Sequence, residues 1–371
     1  MDQKSANALF EQWGCLLLLG VPAGAMLHMD LQPFHVAESF RGFKLIPPGL
    51  HLVCFSIPDK TGLQGERTGF FQQIDRRQTV VKHYNPATES FDDEPDPEQV
   101  ERYRLGIREF DKFMAVYPIQ TYQSWSNLVP HVQASTVTRV LPSGSRWFLH
   151  AQPAEFDNTN PDMPPLDRAA ASARIAAGVE AATRALDTPV FRFAKIAKHA
   201  FPPNATPAER TRYSLDTSYQ LRQTVQEHFG DDYKEFLGEW ELGFVMFVLG
   251  QQLEGFEAWK ASLRIISHAE EQLPLWPEFF TPMFGTLLAQ LQLFQPENFF
   301  QDALSQHNFL RTCLQVLVQN CESIALYRPV TRSITDLCRK TFEWQLDLAS
   351  DADTYALSDE IDPEDRPTIV E

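Results

Sequence analysis

The 371-residue chain has no phosphate-cradling glycine pattern. Neither G-x-x-x-x-G-K-[ST] nor G-x-G-x-x-G occurs, which removes the common nucleotide loops. A G-x-S-x-G elbow, an H-E-x-x-H pair and a C-x-x-C pair are also missing, and with them the local signatures of a serine hydrolase, a zinc protease and a zinc ribbon. Positive charge is scarce: 32 Lys and Arg stand against 49 Asp and Glu, for a net charge of −17 and a pI near 5.0. No basic run exceeds the pair Arg76-Arg77. Direct nucleic-acid binding is therefore disfavoured, and a protein partner with a basic surface fits better. The five cysteines, Cys15, Cys54, Cys313, Cys321 and Cys338, are odd in number and sit mostly among apolar residues. That is the usage of free buried thiols in a reducing compartment. Long apolar runs are absent. Cys15 to Val21 is short and preceded by Glu11, a poor signal peptide, and no segment approaches the roughly 20 apolar residues of a membrane span. We expect a cytoplasmic and nuclear protein with no membrane contact.

What is present is organised around Leu237 to Lys260, LGEWELGFVMFVLGQQLEGFEAWK. Trp240, Phe244 and Phe247, then Phe256, Trp259 and Leu263, recur at intervals of three and four, and Leu242 to Leu249 contain no charge. This predicts a pair of core helices bent near Gly250. Glu239, Glu241 and Glu254 read as charges flanking the buried run.

The length exceeds one typical domain of roughly 100 to 200 residues, and composition suggests the division. Residues 1–150 form an expected β-rich domain. From Cys15 to Tyr84 the period is near two, punctuated by Gly and Pro, which predicts a β-meander with Pro47-Pro48-Gly49 as a tight connection. After the acidic stretch FDDEPDPEQ, Asp96 and Pro97 are an N-cap and first helical residue. The helix should run to about Met114, with Leu105, Ile107, Phe110, Phe113 and Met114 as its stripe. Shorter helices are expected at Thr121 to Leu128 and His131 to Val140. Residues 151–189, rich in Pro, Asn and Asp and then in Ala, read as a linker. Residues 190–347 read as an all-α domain opened by the capping box Thr206-Pro207-Ala208-Glu209. Its helices are expected at about 207–229, 232–249, 252–270, 275–291, 296–326 with a break, and 329–347. Residues 348–371 form an acidic tail. The fold class is α+β: an N-terminal β-rich domain flanked by helices and a C-terminal all-α bundle or superhelical array.

The residues offer little convergent chemistry. Asp92, Asp93 and Glu94 read as a solvated acidic face. His28, His51 and His83 lie on predicted strands, where a metal trio is a rival to ordinary hydrogen-bonded residues. His268 ends an apolar helix and meets its dipole. No catalytic residue, cofactor site or metal site is assigned. The rival is a metal-dependent hydrolase in the β-rich domain; a third reading is a plain helical adaptor.

Several stretches occur in a telling order: GVPAGAMLHMD, FRGFKLIPPGLHLVCFS, Gly69-Phe70-Phe71, FPPNATPAE with SLDTSYQL, the central helix pair, and PENFFQDALSQHNFLRTCLQVL. Together they resemble the A1-alpha2-repression (AAR-two type) family of splicing factors. The resemblance runs from about Gly20 to Leu317 and omits residues 151–189. It implies a non-enzymatic assembly chaperone of the U5 small nuclear ribonucleoprotein precursor. Such a chaperone binds the RNase-H-like and Jab/MPN domains of pre-mRNA-processing-splicing factor 8, delays helicase and RNA engagement, and is released with phosphorylation. Ser214, Ser218, Ser267 and Ser358 are the serines noted for that role, with no choice among them. The resemblance further implies that Pro367, Thr368, Ile369 and Val370 add as a strand to the partner.

Overall fold

A computed structural model describes residues 12–58, 67–141, 191–198, 200–294 and 309–346, with residues 10 and 65 and the backbone of 146–148. The expected linker 151–189 and tail 348–371 lie outside the described residues. The chain divides into two compact units that do not follow chain order. One draws on Met1–Trp125, Gln133–Phe193 and Val245–Glu254, and the other on Ser126–Val132, Ala194–Phe244 and Gly255–Glu371. The expected partition at 150 and 190 is thus interrupted by two short exchanges.

Among the described residues the first unit contains ten strands in two five-stranded sheets. They are β1 (Gly14–Leu19), β2 (Met26–Met29), β3 (Gln32–His35), β4 (Gly42–Ile46), β5 (Gly49–Ser56), β6 (Thr68–Ile74), β7 (Thr79–Asn85), β8 (Ser90–Asp93), β9 (Met114–Val116) and β10 (Arg146–Phe148). One sheet runs β8-β7-β1-β4-β9 and the other β10-β6-β5-β2-β3. The expected meander is corrected here, because β1 pairs in parallel with β7 and β4 in parallel with β9. β1 is buried on both faces, as a central strand requires. Leu16 and Leu18 enter a core shared by the two sheets, with Leu27, Met29, Phe43, Val53, Phe55 and Phe70. Cys15 and Leu17 point the other way, against Val100, Tyr103, Ile107 and Phe110. Gly42 sits at φ +136, and a Cβ there would lie 2.0 Å from the Leu16 carbonyl oxygen. Only glycine permits β4 to approach β1 so closely.

The Asp96 cap forms as expected, its side chain accepting from the Glu98 amide at the start of α1 (Pro97–Leu105). That helix ends early. Gly106 intervenes before the short α2 (Ile107–Phe110), a 3-10 turn covers Asp111–Phe113, and Met114 begins β9. Pairing of β9 with β4 overrides the helical pattern at Met114, and Leu105 is 70% exposed where the stripe required burial. Helices α3 (Ile119–Leu128) and α4 (Ala134–Val140) follow.

Among the described residues the remaining α-helices are α5 (Pro207–Leu215), α6 (Ser218–Phe229), α7 (Tyr233–Val248), α8 (Leu253–Ser267), α9 (Pro277–Leu293), α10 (Phe309–Cys321) and α11 (Arg328–Phe342). The Thr206/Glu209 capping box is complete, and Gly230 ends α6 in the left-handed conformation that terminates helices. The single helix expected over 207–229 is two, since Asp216 and Thr217 interrupt it. Trp240, Phe244 and Trp259 are buried. Phe247 and Phe256 are only half-buried, so the five-residue core is a three-residue core with two flanking rings. Gly243 explains the tight crossing of α7 on α8: a Cβ there would meet the Gly255 carbonyl oxygen at 2.9 Å. No helix of the described residues is long and apolar enough to cross a membrane.

Candidate functional site

In the β-rich unit the most concentrated polar chemistry is Asp30, His51 and Tyr117, all buried. Asp30 sits just after β2 at φ +52, a left-handed conformation that aspartate tolerates better than most residues. There its carboxylate accepts from the Leu52 amide (2.8 Å), the Tyr117 hydroxyl (2.6 Å) and His51 Nδ1 (2.7 Å). His51 Nε2 faces the Pro47 carbonyl at 2.8 Å, so both ring nitrogens have a polar partner. Burial and the Asp30 charge raise the Tyr117 pKa, which keeps the phenol a donor. The cluster ties β2, β5 and the residue after β9 together. Its groups are hydrogen-bonded to one another and buried away from solvent.

The other two histidines of the rival metal trio stand in different surroundings. His83 Nε2 lies 2.7 Å from Glu94. His28 is lowered to about 4, first by burial and then by the Arg67 charge, so it is neutral near pH 7. Among the described residues no group of three His, Cys, Asp or Glu could hold a metal ion. In the acidic stretch Asp93 is exposed, as expected of a solvated face, while Asp92 and Glu94 are half-buried. Asp92 and Asp93 belong to β8; Asn85 donates to Asp92 at 2.9 Å and Lys82 to Asp93 at 2.5 Å.

The helical unit holds what the sequence reading missed. Glu241, read as a flanking charge, is fully buried, and Glu239 nearly so. Glu241 accepts from the His131 amide (2.8 Å), faces His131 Nδ1 at 2.7 Å, and accepts from the Thr286 hydroxyl at 3.2 Å. Burial raises its pKa, opposed by the His131 contacts. Glu239 accepts from the Ala194 amide at 2.6 Å. These carboxylates hold irregular segments onto α7. No sequence signal could have found this, since His131 stands 110 residues from Glu241.

Ser267 and His268 form the one sequence-adjacent Ser–His contact, at 2.9 Å. Ser267 is buried and its hydroxyl donates to the Arg264 carbonyl, while burial lowers the His268 pKa. A nucleophile needs an exposed hydroxyl held by an orienting base, which this pair lacks. Of the serines noted for modification, Ser218 and Ser267 are buried, Ser214 is exposed, and Ser358 lies outside the described residues. So do the tail residues Pro367, Thr368, Ile369 and Val370. All five cysteines are free and buried.

Comparison with known proteins covers both units. The family model described as the AAR2 N-terminal domain matches residues 12–142, and that described as the AAR2 C-terminal repeat region matches residues 193–347. Residues between the two matches include the stretch read as a linker. Among curated proteins, the human Protein AAR2 homolog is 31% identical over 371 aligned residues, covering 96% of this chain and 95% of the relative. The mouse homolog is 31% identical, covering 88% of this chain and 87% of its own. That of Caenorhabditis elegans is 29% identical, with 88% and 91% covered. With both domain models matched in order and similarity extending over nearly the whole length of these relatives, the chain belongs to the AAR2 family, the family of splicing factors that its ordered motifs resemble.

Proposed function

We propose that this protein is a non-enzymatic assembly chaperone of the U5 small nuclear ribonucleoprotein in pre-mRNA splicing. It binds the RNase-H-like and Jab/MPN domains of pre-mRNA-processing-splicing factor 8 in a cytoplasmic precursor and delays helicase and RNA engagement until maturation in the nucleus. Membership of the AAR2 family across both units is the observation that carries this reading. The charge of −17 supports it, because an acidic protein can occupy basic, RNA-facing surfaces of a partner. The hydrolase reading is disfavoured by the engagement of His51 with Asp30 and of His83 with Glu94. Pro367 to Val370 dock as an added strand, in which main-chain hydrogen bonds supply affinity.

Co-purification tests the proposal. The full-length chain should bind a protein carrying the RNase-H-like and Jab/MPN domains, and no complex at micromolar concentrations would sink it. Deleting Arg366 to Glu371 should weaken binding chiefly to the Jab/MPN part; unchanged affinity would remove the tail from the interface.

A further inference from the structure

Helix α5 combines strong initiation with an absence of burial. Thr206 and Glu209 cap each other reciprocally and Pro207 opens the helix, yet none of its residues is buried. It is held by surface tethers. Arg210 lies 4.9 Å over the Phe201 ring, Tyr213 packs 5.4 Å from Tyr219, and Arg212 forms an ion pair with Glu271. Isolated helices of this length are marginal in water, and most helical stability in proteins comes from packing an apolar face. A helix that buries none of its own residues leaves much of its surface facing outward. At its C-terminal end Leu215 is 72% exposed.

Beside Leu215 lies a hollow of about 370 Å³ lined by Arg212, Leu215, Asp216, Glu270 and Glu271. Asp216 has one oxygen on the Ser218 amide (2.8 Å) and the other on the Glu271 amide (3.2 Å), and Glu271 holds Arg212. The Glu270 side chain has no partner among the described residues. Three carboxylates against one guanidinium leave the hollow negative. With Asp216 committed to backbone amides and Glu271 to arginine, the hollow lacks converging free oxygens for a metal ion. A single cationic side chain with an apolar neighbour matches both the charge and the exposed leucine.

We propose that α5 and this hollow form a docking surface for a protein segment that places a lysine or arginine beside a bulky apolar side chain. The cation meets Glu270 and Glu271, and the apolar group covers Leu215. This rests on the reading of the chain as a protein-binding chaperone and adds to it a surface and the chemistry of one contact.

The test uses the full-length chain and the double variant Leu215→Ser with Glu270→Gln, both exposed positions whose change should leave the melting temperature alone. Affinity is measured by calorimetry for the RNase-H-like and Jab/MPN protein. In parallel, fluorescence anisotropy measures a labelled Gly-Leu-Arg-Leu-Arg-Gly peptide and its Gly-Leu-Glu-Leu-Glu-Gly counterpart. The variant should bind the protein about tenfold more weakly, equivalent to about 1.4 kcal/mol, and lose any preference for the arginine peptide. Wild-type binding that the variant matches overturns the docking surface and leaves the chaperone reading intact. Failure of the wild type to bind the protein removes the chaperone reading, and the peptides then decide: a preference for the arginine peptide that the variant abolishes upholds the surface, and no preference overturns it.

Discussion

Helices α7 and α5 are stabilised by different physics. The N-terminal part of α7 buries Phe236, Leu237, Trp240, Leu242 and Phe244 almost completely, whereas α5 buries none of its residues and relies on a reciprocal cap and a few surface tethers. Burial of a large side chain is worth several times a cap. The first helix is therefore scaffold, tolerant of nothing at its centre, and the second is surface, defined by its ends. A chain can announce a helix loudly in sequence for either reason.

Substitutions can break that contrast. Trp240→Ala should cost about 3–5 kcal/mol, through lost burial and an unfilled cavity, read from urea unfolding of the full chain. The close crossing at Gly243 makes Gly243→Leu comparably damaging, because the Gly255 carbonyl lies 2.9 Å from the first added carbon. Thr206→Ala in the cap of α5 should cost about 1 kcal/mol. If it destabilised the chain as much as Trp240→Ala, the contrast would fail. Leu215→Ser should change stability by less than about 0.5 kcal/mol.

A pH experiment sharpens the scaffold side. Burial raises the Glu241 pKa in the folded state above its unfolded value, so its linkage favours the fold at low pH and is lost as pH rises from the ordinary carboxylate range through the raised value. Glu241→Gln should flatten that part of the melting-temperature profile. His28 works in the opposite sense. Its folded value of about 4 lies below 6.5, so stability is present above 6.5 and declines as pH falls toward 4; His28→Gln should remove that decline.

The local signals were legible in the sequence. The Asp96-Pro97 start, the Thr206/Glu209 box and the glycine at 230 are read from neighbours a few residues apart, and each stands where expected. Long-range features were not. The β1 and β7 strands pair in parallel across some sixty residues, and alternation alone cannot distinguish that from a meander. Glu241 sits one position from Trp240, so helical spacing left it on the margin of the apolar face, while its partner His131 belongs to a distant loop. The stripe assigned to Leu105 failed because Gly106 ended the helix one residue later. Of the proposed functional elements, the capped start of α5 was legible, whereas its end at Leu215 and the hollow beside it were not, since Asp216 meets Glu271 across 55 positions.

The buried thiols give each unit its own clock. Cys15 and Cys54 lie in the β-rich unit, where burial pushes them to about 11 and about 12. Cys313, Cys321 and Cys338 lie in the helical unit, pushed to about 11, about 12 and about 12 by the same cause. A maleimide reagent at neutral pH can reach these sulfurs only when the surrounding structure opens, so labelling rates resolved by peptide mapping report the opening free energy of each unit separately.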